Sequence, residues 1–131
     1  MNFRNLAPIR YSHITDRPVV YYDKFLLTVT TAWCTGSMGN TIGCNDVAIL
    51  SKPGPSEIDK GSIIIFKTPS TDCKGYGDLT TMHRVTGITI LNGLPYFQTK
   101  GDGNAYSDPC QIPFDVIQYK VIGLVYDGAV P

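Results

Sequence analysis

Thirteen glycines and nine prolines punctuate the 131 residues, and between them lie short runs rich in Val, Ile, Thr and Tyr. Glycine and proline mark turns, each for its own backbone reason, while β-branched and aromatic side chains suit a pleated, half-buried surface. The pattern points to short strands joined by frequent turns. Hydrophobic residues make up 43% and charged residues 17%, a globular composition, and the length suits one domain with a real core.

Residues 1–24 are polar, carry Pro8 and Pro18, and read as an irregular lead-in or an edge segment before the main domain of 25–131. Strands are expected over Phe25–Ala32, Asp46–Leu50, Ser62–Phe66, Met82–Leu91, Leu94–Thr99 and Val116–Tyr126. Asn92-Gly93 is a strong hairpin signal between two of them, and a bulge is expected at Gly87. Thr68–Thr81 and Gly101–Pro113 read as two long loops. No internal repeat and no long amphipathic helix is evident. The expected fold is therefore mostly β, an antiparallel coiled sheet or partly closed barrel. Leu27, Val29, Met38, Ile88 and Ile90 are expected in the core or lining a cleft.

Eleven basic residues balance eleven acidic ones without a basic block, which argues against nucleic acid as a partner. The most apolar stretch, Phe25–Trp33, is far shorter than the roughly 20 residues that span a bilayer. Met1–Arg10 lacks the apolar core of a signal peptide. This leaves a soluble protein, or one whose anchor lies outside these residues. The four cysteines, at 34, 44, 73 and 110, show no CxxC spacing and there are only two histidines, so a structural zinc site is not expected. Their even number in a small, turn-rich domain allows two disulfides with three pairings, or buried thiols.

Four segments hold residues able to do chemistry: Thr35-Gly36-Ser37-Met38-Gly39-Asn40-Thr41, Met82-His83-Arg84-Val85, Thr99-Lys100-Gly101-Asp102-Gly103-Asn104, and Asp108. A serine hydroxyl is a poor nucleophile near neutral pH. It needs a base within hydrogen-bond reach, and that base benefits from a carboxylate that fixes its tautomer. One Ser, one strand-borne His and two Asp suffice. Residue types alone are equally compatible with a turn serine, a structural histidine and two turn-forming aspartates. Arg84 should face away from His83, because neighbouring strand residues alternate, and His13 in the lead-in reads as a surface residue.

Taken in order, Gly36-Ser37-Met38, Ile63–Phe66, His83-Arg84-Val85 and Thr99-Lys100-Gly101-Asp102 resemble signal peptidase of the archaeal and endoplasmic-reticulum type, in which His replaces the Lys base of most bacterial enzymes. The resemblance runs from about Thr28 to Tyr126. It implies Ser37 as nucleophile, His83 as general base and Asp108 as the carboxylate orienting it, with Asp102 in a supporting place. Thr35 falls where the family often carries a hydroxyl that supports the oxyanion, beside the backbone N–H of Ser37. Loss of one such donor costs about 2.7–4 kcal/mol in acyl transfer. Lys100 is the rival base, but its place beside Gly101-Asp102 matches a family loop position.

By this resemblance the protein cleaves signal peptides of secretory preproteins after small residues, with no metal or cofactor, on the extracytoplasmic or lumenal face of a membrane. Contact with the membrane surface would run through an anchor that these residues do not contain. Three departures stand out: Asn40 where the serine box usually has Pro, Gly61-Ser62 in place of Gly-Asp, and no membrane anchor. Two alternatives stay open: a self-cleaving protein of the same fold, against which His83 in place of Lys argues, and a catalytically diverged β-module that binds or supports, for which Asn40 is the best support. If the strand order follows the family, the long loops around His83 approach each other. That pairs Cys73 with Cys110 and leaves Cys34 with Cys44.

Overall fold

The structure, a computed structural model, describes residues 10–12, 19–22, 25–32, 34–68 and 80–126. Among the described residues nine strands form one sheet: β1 (Arg10–Ser12), β2 (Val19–Tyr22), β3 (Phe25–Thr31), β4 (Val47–Ser51), β5 (Ile63–Lys67), β6 (Thr80–Leu91), β7 (Leu94–Lys100), β8 (Gln111–Pro113) and β9 (Ile117–Val125). Their order across the sheet is β1-β2-β3-β4-β9-β5-β6-β7-β8, and every neighbouring pair is antiparallel. The sheet is mostly β as expected. The sheet is not closed: among the described residues β1 and β8 end the order and no pairing joins them. The lead-in supplies two short strands, of which β1 is an edge, and the expected loop 101–113 ends in β8.

The last strand, β9, inserts between β4 and β5 and joins the two halves of the sheet. Beside it, β5 is the most deeply covered strand, with Ile63, Ile64, Ile65 and Phe66 all buried. Alternation sends Ile63 and Ile65 into one apolar cluster, with Met38, Leu50 and Met82, and Ile64 and Phe66 into another, with Val85, Phe97 and Ile112. A run of four apolar residues is what a strand covered on both faces requires. Phe66 and Phe97 are among the largest fully buried side chains, and truncating either to Ala would cost about 3–5 kcal/mol.

β6 and β7 form a long hairpin turned by Asn92 and Gly93, whose φ angles of 51° and 77° are both left-handed. Two positive φ values in a two-residue turn match the right-handed twist of the flanking strands. The register slips between Val85 and Gly87, which puts the bulge at Thr86, one residue before the expected place. Ile88 and Ile90 are not core residues: they are 42% and 62% exposed on the outer part of the hairpin. Their alternating pattern describes a strand face but does not supply a layer to cover it. Val29 and Met38 are buried as expected, while the Leu27 side chain lies outside the described residues. No helix among the described residues is long and apolar enough to cross a membrane.

Candidate active site

β6 is paired on both sides where it carries His83. The residue lies opposite Ile64 of β5, and the next, Arg84, lies opposite Lys100 of β7. His83 is 3% exposed, and its Nδ1 is 2.7 Å from Oδ2 of Asp108, itself buried. The same Oδ2 accepts a 2.6 Å bond from the Thr99 hydroxyl, and the Asp108 N–H donates to the Thr99 carbonyl at 2.8 Å. Gln98 Nε2 donates to the Asp108 carbonyl at 2.9 Å. An ionised carboxylate can only accept, so in the neutral imidazole Nδ1 carries the hydrogen and Nε2 the lone pair. That is the tautomer a general base needs. Sequence reasoning missed Thr99 and Gln98. Thr99 is an ordinary strand former, and only its register opposite Val85, on the His83 face of β6, reveals the contact.

Ser37 sits on the loop between β3 and β4. The base of this loop is closed by the Ala32 N–H to Asp46 carbonyl bond and by the Cys34–Cys44 disulfide, whose Cα atoms are 4.6 Å apart. Cys110 is also disulfide-bonded; its expected partner, Cys73, lies outside the described residues. Within the loop, Gly39 N–H bonds the Gly36 carbonyl at 3.0 Å, a turn with Ser37 and Met38 at its centre, and Gly36 has a φ of +75°. Met38 drops into the core and anchors the turn from below.

The segment after β7 presses its backbone onto this turn. Gly103 N–H donates to the Ser37 carbonyl at 2.8 Å. A Cβ on Gly103 would meet the Gly36 carbonyl and approach Gly39 N within 2.9 Å, and one on Gly101 would strike the Ser37 carbonyl and come 2.9 Å from His83 Nε2. Both positions exclude a side chain, because real Cβ atoms do not make such contacts. Gly101 therefore brings the Ser37 backbone and His83 Nε2 to one place.

Ser37 and His83 line one cavity of about 570 Å³, together with Ala32, Thr35, Met38, Ile42, Thr80, Thr81, Met82 and Asn104. No hydrogen bond joins the two residues. Instead Ser37 Oγ is 3.1 Å from Thr35 Oγ1, which also accepts the Ser37 N–H at 3.3 Å. Thr35 is thus beside Ser37, with its hydroxyl and the Ser37 N–H engaged with each other.

Asp102 does not touch His83. Its carboxylate takes a two-pronged bond from Arg84, at 2.8 and 2.7 Å, and a 2.6 Å bond from the Thr41 hydroxyl. The Arg84 hydrogen bonds and charge hold Asp102 below the ordinary carboxylate range against partial burial, and Asp102 in turn raises Arg84. Arg84 faces away from His83, as alternation requires, and also reaches the Gly61 carbonyl at 2.9 Å. The cluster ties the residue next to the base to the end of the serine turn. Thr41 was not legible in the sequence as its partner. Lys100 Nζ bonds the Gly101 carbonyl at 3.1 Å and is not part of the cavity wall. No group of three His, Cys, Asp or Glu side chains that could hold a metal exists among the described residues.

Comparison with known protein families, curated proteins and solved structures returns no match to this chain.

Proposed function

We propose that this chain is a serine endopeptidase of the signal peptidase type, working with Ser37, His83 and Asp108. The observation that carries the reading is the buried His83–Asp108 pair, with its free Nε2 opening on the cavity that also holds Ser37. Rotation of the Ser37 hydroxyl from Thr35 toward Nε2 starts the reaction. Oγ attacks the scissile carbonyl as its proton passes to Nε2, and the carbonyl π electrons move onto oxygen. Collapse of this oxyanion expels the amine, which takes the proton from His83, and leaves an acyl-Ser37. Water then attacks with the same base and releases the acid. The same rotation releases the Thr35 hydroxyl hydrogen to face the oxyanion, while the Ser37 N–H keeps its bond to Thr35 Oγ1.

The cavity walls of Ala32, Met38, Ile42 and Met82 suit an extended peptide with small apolar side chains near the scissile bond. Signal peptides of secretory preproteins are the substrate class this supports, met on the extracytoplasmic or lumenal side of a membrane. The disulfide fits an oxidising compartment. Ser37→Ala removes one hydroxyl from a loop, so it should abolish cleavage of a signal-peptide substrate with an unchanged melting temperature. Full activity in that variant defeats the assignment. A second reading, a β-module that keeps this fold for binding alone, is favoured by one observation, the Ser37 Oγ contact to Thr35 in place of His83. Acylation of Ser37 by a peptidyl phosphonate, read by mass, separates the two.

A further inference from the structure

Asn104 is a polar group on the cavity wall that the mechanism above does not use. It is partly buried, and its N–H closes a turn by bonding the Gly101 carbonyl at 3.0 Å. Its carboxamide makes no hydrogen bond to any described residue. A Cβ on Gly101 would stand 2.8 Å from Asn104 Nδ2 and 2.9 Å from His83 Nε2, and closer still to the Ser37 carbonyl. The carboxamide therefore lies on the Nε2 side of the imidazole, away from Asp108, and next to the nucleophile's own backbone.

Its support is rigid. Gly103, the preceding residue, is hydrogen-bonded to the Ser37 carbonyl, so the turn carrying Asn104 is fastened directly to the residue that attacks. The other donors beside Ser37 are its N–H and the Thr35 hydroxyl, and these two are engaged with each other. A neutral carboxamide also suits the place electrostatically. It can donate to an oxyanion without opposing the imidazolium that forms beside it, as a lysine or arginine would.

We infer that Asn104 is a further catalytic residue, whose Nδ2–H donates to the oxyanion formed when Ser37 attacks the scissile carbonyl. This rests on the serine-peptidase reading. The donor acts only after the carbonyl π electrons have moved onto oxygen and the serine proton has passed to His83, and it transfers no proton itself. The bond strengthens as charge develops, so it lowers the barrier more than it aids substrate binding.

The test compares Asn104→Ala and the similarly sized Asn104→Leu with the parent chain and Ser37→Ala, using a signal-peptide substrate and a peptide aldehyde as transition-state analogue. Expected is a loss in kcat on the order of 10²–10³-fold with KM little changed. The aldehyde should bind more weakly in proportion to the loss of kcat/KM, and the pH profile should keep its shape. Either variant retaining parental kcat with its fold intact overturns the inference. So does a loss confined to KM, or a kcat loss with undiminished aldehyde affinity. An active Ser37→Ala defeats the underlying peptidase reading instead, whereas an inactive Ser37→Ala beside an active Asn104→Ala defeats only the role of Asn104.

Discussion

The two sides of the cavity are built by opposite means. His83 and Asp108 are buried, sit on or against paired strands, and engage each other through a network that includes Thr99 and Gln98. Ser37 rides on a turn between exposed cysteines, held by a covalent bridge and by the backbone of another loop. On the first side, side-chain hydrogen bonds in a low-dielectric setting set the chemistry. On the second, chain geometry sets the position while the hydroxyl stays one rotation from its base. On the proposed reading, a rigid base beside an adjustable nucleophile is the arrangement expected when substrate completes the alignment.

The difference can be broken most severely on the base side. Asp108→Asn should keep the fold yet favour the wrong imidazole tautomer, with kcat falling about 10⁴-fold, as for the equivalent change in serine-protease triads. A loss under tenfold in steady-state cleavage would show that Asp108 does not orient His83. On the nucleophile side, the paired change Cys34→Ser with Cys44→Ser removes a cross-link ten residues apart in sequence. The chain-entropy relation puts its contribution near about 2.5–3 kcal/mol. Urea unfolding should register that loss, and kcat should fall while the acid limb of the pH profile stays in place. A shifted limb would mean that the two sides are not independent.

Much of this architecture can be read from the residues themselves. Asn92-Gly93 has only one common use between two apolar runs, and His83 and Arg84 had to part because strand neighbours alternate. The resemblance carried by the motif order singles out Ser37, His83 and Asp108, and the fold brings the three to one region. What stayed illegible depends on partners distant in the chain. Asp102 bonds Arg84 and Thr41 rather than the base, and nothing local distinguishes an aspartate that will meet an arginine from one that will meet a histidine. Ile88 and Ile90 alternate like core residues, but whether a face is covered is decided by a second layer that periodicity does not report. Open and closed sheets likewise share the same strand signals, because closure depends on whether the edges meet.

The smallest effect belongs to the cluster that bridges the two sides. Asp102 is held below its ordinary range by Arg84, so the stabilisation is present above that range and is lost as pH falls through the lowered folded value. The side chains are 33% and 22% exposed for Arg84 and Asp102, so solvent screening keeps the effect modest. Asp102→Asn should therefore lower stability modestly near neutrality and converge with the parent chain at the acid end, which flattens the stability–pH curve. Identical acid limbs in chemical denaturation would show that the pair does not couple folding to pH.

The bond from Gly103 to Ser37 joins residues far apart in the chain, and His83 lies between them in sequence. Contacts of that span form late, since the intervening chain must first be ordered. The Cys34–Cys44 loop is short and can close early by comparison. During refolding of disulfide-intact protein, the nucleophile's turn should be restrained well before the base reaches it, and cleavage should return only with the slowest structural phase. Synthesis from the N-terminus adds the same delay, because Ser37 emerges long before Gly103 and Asp108. On the proposed reading, a newly made chain would then hold Ser37 without its base until Gly103 and Asp108 have been made and folded.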